Sequence, residues 1–362
     1  MRVALDGRSL KDPPDSCTRT VESHARALQA AGHEILVLQD GGAREGAATV
    51  PGERRSWARR LRGVACLWTP HNRPAARDDV RHVATIHDAN PLGQDDRRRL
   101  HRWVRGLKFR AIVRVCLSRS AVIVTDSQFA RCELERWFPA ARGRIEVVPQ
   151  VIHQSMRPMA AEARMHHHAA MGVSEGGVVC VCALRRHKNP LALVHAYARL
   201  PAALRRRHPL VFAGPDHRMR GEVRRRSMDA GIGRDVHLLG HRSDEELRAL
   251  YSGAAVFAYP SLLEGFGLPP VEAMACGAPV VSSGRTALGE VLGDGALIVD
   301  PEETVAFAGA IERVLRDPDL ARGLRARGRS TAARYTPERV APAVDRVMSR
   351  FDPAHRHGAG VC

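Results

Sequence analysis

Residues 261–281 have the sequence Ser261-Leu-Leu-Glu264-Gly-Phe-Gly267-Leu-Pro-Pro-Val-Glu272-Ala-Met-Ala-Cys-Gly277-Ala-Pro-Val-Val281. The apolar run 255–259 in front of them predicts a buried strand, and Pro270 is typical of a first helical turn. Gly277 is typical of a helix end, and the apolar residues after it predict another strand. The stretch therefore predicts a strand, loop, helix and strand unit of an α/β fold.

The loop of this unit combines the features of an anion site with two acidic side chains. Gly265 and Gly267 let the main chain approach a ligand, and the free N–H groups at the helix start attract an anion such as a diphosphate. Glu264 and Glu272 would repel that anion unless they bind neutral hydroxyl groups. A nucleotide-sugar carries both a diphosphate and hydroxyls, so the loop predicts this ligand. An ordinary α/β unit explains the glycines but not both acids.

The same stretch resembles the donor-binding signature of glycosyltransferase family 4, the retaining GT-B enzymes. The likeness covers nearly the whole chain and is strongest over residues 235–301. It implies two Rossmann-like, doubly wound domains that face a central cleft, with the donor mainly on the second and the acceptor mainly on the first. The segments Glu-Gly-Phe-Gly-Leu-Pro-Pro and Glu-Val-Leu-Gly-Asp are most similar to the mannosyltransferase-like branch. That branch favours GDP-mannose, while UDP-glucose and UDP-N-acetylglucosamine stay open.

The resemblance implies a donor site in the second half of the chain. The position of Gly240 and the residues after it faces the nucleobase in the family, and Glu272 is expected to bind the ribose hydroxyls. The glycine-rich loop is expected to meet the sugar and diphosphate. The expected donor-binding residues are Arg186, Gly240, His241, Arg242, Gly265, Phe266, Gly267, Leu268 and Glu272.

Three residues are expected at the reacting centre, namely His87, Lys188 and Glu264. Lys188 matches the family lysine that holds the diphosphate, which develops charge as it leaves; a solvated basic loop is the alternative. His87 follows a strand in the family's His-Asp element, where a structural histidine is the alternative. The family is metal-independent and its retention is explained by front-face attack, so no metal or other cofactor is expected. The acceptor is an unidentified hydroxyl compound: a glycan, a lipid-linked sugar or a small natural product.

Two positions depart from the family pattern. Ala183 stands where the family has an arginine, with Arg185 or Arg186 as substitutes, and residues 15–19, which include Cys17, replace a glycine-rich turn. These departures keep open a second hypothesis, a catalytically silent GT-B-like binding or scaffold protein. An epimerase on the same scaffold is a weaker alternative.

The chain has 362 residues, of which 44% are hydrophobic, enough for two domains. Its net charge of +17 suits a phosphorylated substrate, an anionic membrane or nucleic acid. A nucleic-acid-binding protein is a weaker alternative that only this charge suggests. No nucleic acid is expected as a partner, because aromatic residues make up only 4% and no binding module is recognisable. The sequence lacks a signal-peptide pattern and an apolar run of the ~20 residues needed to span a bilayer, so a cytoplasmic protein is expected.

Strand-like and helix-like runs alternate twice along the chain, which predicts two doubly wound domains. We expect an N-terminal acceptor domain over residues 1–165, a C-terminal donor domain over 166–335, a helix over 336–352 that crosses back to the first domain, and a flexible tail over 353–362. His166-His167-His168 is expected to be an exposed loop rather than a metal site, because consecutive side chains point in different directions.

The basic stretch 97–110 contains Trp103, Leu107 and Phe109 among its arginines and lysine. Such a mixture is typical of a helix at a membrane interface, which would add a peripheral contact with the anionic inner membrane face. The alternative is a helix whose apolar residues face the core and whose arginines are solvated. Gly106 weakens a continuous helix here.

Overall fold

The structure, a computed structural model, describes residues 1–7, 16–39, 48–51, 61–72, 80–89, 99–215 and 219–352. The chain divides into two compact units. The first contains Met1–Val151 with the chain from Tyr335 onward, and the second contains Ile152–Arg334. Asp15, Arg97, Arg98 and the predicted tail over 353–362 lie outside the described residues.

The first unit contains a sheet of parallel strands. In chain order they are β1 (Arg2–Asp6), β2 (Glu34–Gln39), β3 (Ala48–Pro51), β4 (Cys66–Thr69), β5 (His82–Thr85), β6 (Ser120–Thr125) and β7 (Ile145–Val147). Their order across the sheet is β3-β2-β1-β4-β5-β6-β7. The order reverses between β1 and β4, and the carboxyl ends of strands beside such a reversal are where α/β sheets bind ligands. The helices between these strands are α1 (Ser16–Ala30), α2 (Arg99–Arg119) and α3 (Gln128–Trp137).

The second unit repeats this plan. Its strands are β8 (Val178–Val181), β9 (Leu210–Ala213), β10 (Val236–Gly240), β11 (Val256–Tyr259), β12 (Val280–Ser282) and β13 (Ala296–Ile298). The sheet order is β10-β9-β8-β11-β12-β13, and every neighbouring pair is parallel. The helices are α4 (Ala161–Ala170), α5 (Pro190–Ala198), α6 (Ala202–Arg207), α7 (Arg220–Asp229), α8 (Asp244–Gly253), α9 (Leu268–Ala275), α10 (Ala287–Leu292), α11 (Thr304–Arg316) and α12 (Pro318–Ala332).

The last described helix, α13 (Pro337–Ser349), belongs to the first unit. Its apolar residues recur at helical spacing, and Val340, Val344 and Val347 are buried in one core with Val3 and Leu5 of β1. Burying a valine side chain contributes about 1.5–3 kcal/mol, so this stripe is sufficient to fix the helix on the first unit. The helix therefore packs into the core of the first unit, although the second unit separates it from β1 along the chain.

The chain enters the second unit earlier than the expected boundary at 165/166. Met159 N–H donates to Ser252 Oγ of α8 at 3.1 Å, and Arg164 of α4 pairs with Glu175 at 2.7 Å. These contacts attach residues 152–165 to the second unit. The sequence offered no signal for them, because neither a main-chain contact across 93 residues nor a single ion pair leaves a local pattern.

The expectation of an exposed loop at His166-His167-His168 is wrong, because these residues lie in α4. His168 is buried, and its Nδ1 lies 2.9 Å from the carbonyl oxygen of Arg164. Among the described residues, no group of three or more histidine, cysteine and acidic side chains is placed to hold a metal ion. Among the same residues, no helix has the length and apolar character of a membrane span.

Candidate active site

The carboxyl edge of the second sheet gathers the residues expected to bind the donor. Lys188 lies in a short 3-10 turn after β8, Gly240 ends β10, and Glu264 lies in the loop after β11. Parallel strands place all these ends at one edge of the sheet. The segments are far apart in the chain, so the fold creates the site.

Lys188 and Glu264 form the centre of this edge. The Lys188 Nζ donates to Glu264 Oε1 at 2.6 Å, and the two side chains are only 17% and 10% exposed. Tyr259 completes the cluster: its hydroxyl donates to the same Glu264 oxygen at 2.8 Å and accepts from Lys188 Nζ at 3.3 Å. Burial alone would raise the pKa of Glu264, but the charge and hydrogen bonds of Lys188 and the Tyr259 hydroxyl lower it below its usual range. The carboxylate is therefore ionised and held in place.

Burial and the neighbouring Glu264 charge raise the pKa of Tyr259 well above its ordinary value, so its hydroxyl stays neutral. Sequence analysis did not identify Tyr259 as a site residue. It appears there as the last apolar residue of a buried strand, and only the tertiary structure brings its hydroxyl to Lys188.

The glycine-rich loop ends at the start of α9. Gly267 has φ +96°, and a Cβ at this position would clash with Leu288 Cδ2. This backbone conformation is accessible to glycine and strained for other residues. The helix begins at Leu268, and because Pro269 and Pro270 have no N–H, only the Gly267 and Leu268 N–H groups can serve an anion at this helix start. Phe266 is buried beside Gly267 and anchors the loop.

Glu272 lies in α9 and is 2% exposed. The Tyr251 hydroxyl of α8 donates to its Oε2 at 3.0 Å. A buried carboxylate needs hydrogen-bond donors, and Tyr251 supplies one from the protein. One oxygen of the Glu272 carboxylate is therefore held by the neighbouring helix.

The expected base-pocket residues lie in the turn after β10. Gly240 has φ 76°, and its carbonyl oxygen accepts from Gly214 N–H at 2.8 Å. His241 is exposed. Arg242 is held by its own turn, since its guanidinium donates to Leu239 O at 2.7 Å and to Glu246 Oε1 at 3.1 Å. In this arrangement Arg242 supports the turn that presents Gly240 and His241.

Arg185 and Arg186 are exposed at the end of β8, near the position where Ala183 replaces the expected arginine. Asn189, directly after Lys188, has a left-handed backbone with φ 54°, and its Nδ2 donates to Pro301 O at 3.2 Å. The turn that carries Arg186 and Lys188 is thus fixed at its far end. Arg185, Arg186 and Lys188 thus place three cationic side chains at this edge of the second sheet.

His87 lies at the carboxyl edge of the first sheet, directly after β5. Its Nδ1 is 2.7 Å from Asp126 Oδ2, and its Nε2 is 2.9 Å from Pro70 O. Both oxygens are acceptors, so both ring nitrogens donate and the ring carries a positive charge. Burial opposes this charge, but the charge of Asp126 and the two hydrogen bonds outweigh burial and raise the pKa of His87 to about 9. Gln150 Nε2 also donates to Asp126 Oδ2, at 2.9 Å.

A second histidine, His24 of α1, lies near this pair. It is buried, its Nδ1 lies 2.8 Å from Thr20 O, and its ring packs edge-on to Trp68 with 5.0 Å between centroids. Burial lowers the pKa of His24 to about 4, against the opposing charge of Asp126. His87 and His24 are thus a charged and a neutral histidine near the same carboxylate, that of Asp126. His87 was among the predicted site residues, whereas Asp126 and His24 were not. The available signal for Asp126 was its place as a polar residue directly after the buried strand β6.

The family model Glycosyltransferase Family 4 matches residues 63–154, and the model Glycosyl transferases group 1 matches residues 174–331. The chain is 34% identical over 225 residues to O-antigen chain mannosyltransferase B of Escherichia coli, a match of 61% of this chain and 58% of that protein. The chain therefore spans less than two thirds of this curated relative.

Two solved structures show the fold. Sucrose-phosphate synthase from Thermosynechococcus elongatus has a TM-score of 0.74 at 22% identity, covering 97% of this chain and 99% of that one. The Anabaena protein Alr3699/HepE, in complex with UDP and glucose, has a TM-score of 0.74 at 16% identity, covering 96% and 99%. The predicted fold, a GT-B arrangement of two Rossmann-like domains, is confirmed.

Proposed function

We propose, from the premise that this chain belongs to the glycosyltransferases of the Family 4 and group 1 models, that it transfers a hexose from a nucleoside diphosphate to an acceptor hydroxyl. The observation that carries the proposal is the buried ion pair of Lys188 and Glu264 beside a helix start where Gly267 and Leu268 supply backbone N–H groups. A cation and backbone donors suit a diphosphate, and a carboxylate suits sugar hydroxyls.

Lys188 stabilises the charge that develops on the departing diphosphate, together with the helix start at Leu268 and with Arg186. Glu264 accepts hydrogen bonds from the transferred sugar, and Glu272 accepts them from the ribose. The base lies against the turn formed by Gly240, His241 and Arg242. These roles apply the family pattern to side chains that this fold brings to one sheet edge.

The transfer retains the configuration of the sugar. The bond between the anomeric carbon and the phosphate oxygen breaks, and the bond to the acceptor oxygen forms on the same face. The acceptor proton passes to the departing phosphate oxygen. His87 does not take that proton, because Asp126 and Pro70 O occupy both ring nitrogens.

The donor sugar is mannose, carried as GDP-mannose. This choice is supported by the Escherichia coli relative, whose name describes a mannosyltransferase, and by the Glu-Gly-Phe-Gly-Leu-Pro-Pro segment. UDP-glucose is the competing donor, since the Anabaena protein is described with UDP and glucose. No metal is required, because Lys188 and the basic turn after β8 supply the positive charge that the diphosphate needs.

Contact with an anionic membrane is the remaining part of the proposal, and α2 supports it. Phe109, Val113, Cys116 and Leu117 of this helix are buried in the core, whereas Val104, Leu107 and Val115 are exposed. Lys108 and Arg114 are exposed beside them. An outward apolar stripe flanked by cations suits an anionic membrane surface and an acceptor anchored in it.

A screen of nucleotide-sugars tests the proposal. GDP-mannose, UDP-glucose and UDP-N-acetylglucosamine are each added to the protein with and without EDTA, and the thermal midpoint is measured. GDP-mannose is expected to raise the thermal midpoint most, and by the same amount in the presence of EDTA. It is also expected to be hydrolysed or transferred, and NMR of the product should show the α configuration. Stabilisation without turnover would identify a silent binding protein, and no stabilisation by any of the three would contradict the proposal.

A further inference from the structure

Thr286 has an unusual backbone for a β-branched residue, with φ 56° and ψ −134°. Within the described part of the chain, Asn189 is the other non-glycine residue with a positive φ. An isolated left-handed asparagine is common, but a threonine in this region is strained. Asn189 follows Lys188 directly, and Thr286 contacts Glu264, so both unusual backbones flank the same ion pair.

Thr286 fixes the main chain of Glu264. The Glu264 N–H donates to Thr286 Oγ1 at 2.9 Å, and the Ala287 N–H donates to Glu264 O at 3.4 Å. The Thr286 hydroxyl in turn donates to Arg285 O at 2.7 Å, which fixes its lone pairs toward Glu264. Both backbone groups of Glu264 are therefore held by two consecutive residues.

The other side of the loop is held by the segment that carries Lys188. Leu262 N–H and Ser261 Oγ donate to His187 O at 2.7 and 3.1 Å. The loop that ends at Glu264 is thus fixed between the residue before Lys188 and Thr286. Without the Thr286 contact, the Glu264 N–H would lose this acceptor, and the main chain of Glu264 would be left with the longer 3.4 Å contact from Ala287 N–H to its carbonyl oxygen.

We propose that Thr286 is a positioning residue for Glu264, and that its strained backbone is retained because this conformation places the hydroxyl on the Glu264 N–H. Strained residues persist where the surrounding structure fixes them, and they cluster at functional sites. Glycine would adopt the same backbone without strain but has no hydroxyl, and valine would keep the shape without the hydrogen bond. The inference rests on the proposed function only for the role of Glu264 in binding the transferred sugar.

Three substitutions separate strain from hydrogen bonding: Thr286→Ser, Thr286→Val and Thr286→Gly. Thr304→Val is the matched control, because Thr304 is also a partly buried threonine of the second unit, at the start of α11. Two quantities are measured for each variant, the amide hydrogen exchange of Glu264 and the steady-state kinetics with the nucleotide-sugar. Exchange reports the hydrogen bond directly and requires no activity.

The serine variant is expected to keep the protection of the Glu264 amide and a kcat within about threefold, since the hydroxyl remains. The valine and glycine variants are expected to lose that protection and to lower kcat by about tenfold or more, with a smaller change in the donor KM. The glycine variant should have a higher thermal midpoint than the valine variant, because it relieves the strain. Thr304→Val should change neither exchange nor kcat.

Unchanged protection and unchanged kcat in Thr286→Val would overturn the proposal, as would equal losses in Thr286→Ser and Thr286→Val. If the wild-type protein transfers no sugar at all, the proposed function fails. The exchange comparison between serine and valine still decides whether Thr286 fixes Glu264.

Discussion

Lys188 and Glu264 share a buried ion pair of 2.6 Å although 76 residues separate them in the chain. Each neutralises the other in a place where an unpaired charge would be costly. A bound diphosphate would compete with Glu264 for the Lys188 ammonium, and sugar hydroxyls would compete with Lys188 for the carboxylate. Under the proposed function, the pair keeps the Glu264 carboxylate ionised and in position until the donor replaces each partner.

Substitution of Lys188 by alanine should lower turnover more than donor binding, because the leaving diphosphate gains charge in the transition state. The variant should also be less stable, by roughly 3 kcal/mol, because it leaves Glu264 buried without its partner. Measurement of kcat, donor affinity and thermal midpoint checks both effects. The double variant Lys188→Ala/Glu264→Gln should recover stability but not turnover, and a change confined to KM would contradict the role of Lys188.

Substitution of Glu272 by glutamine should weaken donor binding by about 1–3 kcal/mol, because an amide accepts weaker hydrogen bonds from hydroxyls than a carboxylate. Calorimetry with GDP and with 2′,3′-dideoxy-GDP makes the test specific for the ribose. The wild type should discriminate between the two nucleotides and the variant should not. Tyr251→Phe, which removes the hydrogen bond to Oε2, should show a smaller loss.

Discrimination that survives in Glu272→Gln would show that the ribose is bound elsewhere. So would a loss in affinity that is equal for both nucleotides, since such a loss reports a change in the whole site rather than in the ribose contact.

The two sheets were predictable because their strands are apolar runs bounded by turns. The apolar run 178–183, for example, contains β8 (Val178–Val181). Strand β3 (Ala48–Pro51) was not predicted, because it has four residues and ends in proline. Its pairing with β2 at the sheet edge is a tertiary contact that local pattern does not report.

The candidate site was predictable where one motif carries the chemistry and not where distant segments meet. Glu264, Gly267 and Glu272 lie in one motif. Tyr259 meets Lys188 across 71 residues, and Asp126 meets His87 across 39 residues. Tyr259 and Asp126 have no local signal beyond their places at the ends of strands. The strain at Thr286 is likewise a property of the folded backbone alone.

The pair of His87 and Asp126 should make stability depend on pH. The pKa of His87 is about 9 in the folded chain, against an ordinary value of 6.5. The stabilisation is complete below pH 6.5 and is lost as the pH rises through about 9, because the unfolded chain has already released the proton. The expected loss is roughly 3 kcal/mol, at about 1.4 kcal/mol for each pKa unit.

Histidine resonances of the protein in NMR titrations check this prediction. The His87 midpoint should lie near 9 in the wild type and should fall toward the ordinary range in Asp126→Asn. The thermal midpoint of the wild type should decrease over the same pH interval. The thermal midpoint of Asp126→Asn should already be lower at the low-pH end of this interval and should depend less on pH. A wild-type His87 that titrates near 6.5 would contradict the assignment of a charged ring.

Gly267→Ala should destabilise the second unit and abolish donor binding. The φ of +96° is strained for alanine, and the added Cβ would meet Leu288 Cδ2. We expect a loss of about 1–3 kcal/mol from backbone strain alone. Gly309→Ala is the matched control, because no atom lies within 4 Å of the Cβ that it would add in α11. This control should raise the thermal midpoint slightly, since alanine favours a helix by up to about 1 kcal/mol over glycine.

The exposed face of α2 should bind anionic membranes. Val104, Leu107 and Val115 are 37%, 46% and 36% exposed, and Lys108 and Arg114 lie on the same face. The wild type is expected to co-sediment with vesicles that contain an anionic lipid and not with neutral vesicles. The double variant Lys108→Gln/Arg114→Gln should lose about 2 kcal/mol of binding, at roughly 1 kcal/mol for each charge near the surface, and Leu107→Gln should weaken it further through lost apolar burial.

The control for this last prediction removes two arginines from α7 in the second unit. Arg224→Gln/Arg225→Gln changes the net charge by the same amount but leaves α2 intact, and both residues are exposed. It should retain vesicle binding, because a membrane contact depends on where the cations lie and not on the total charge of +17. Equal losses of vesicle binding in the two double variants would show that the protein is attracted to anionic lipid by its total charge and not through α2. Negligible binding of the wild type to anionic vesicles at low salt would instead point to an acceptor in solution, with the arginines of α2 serving only to solvate the helix.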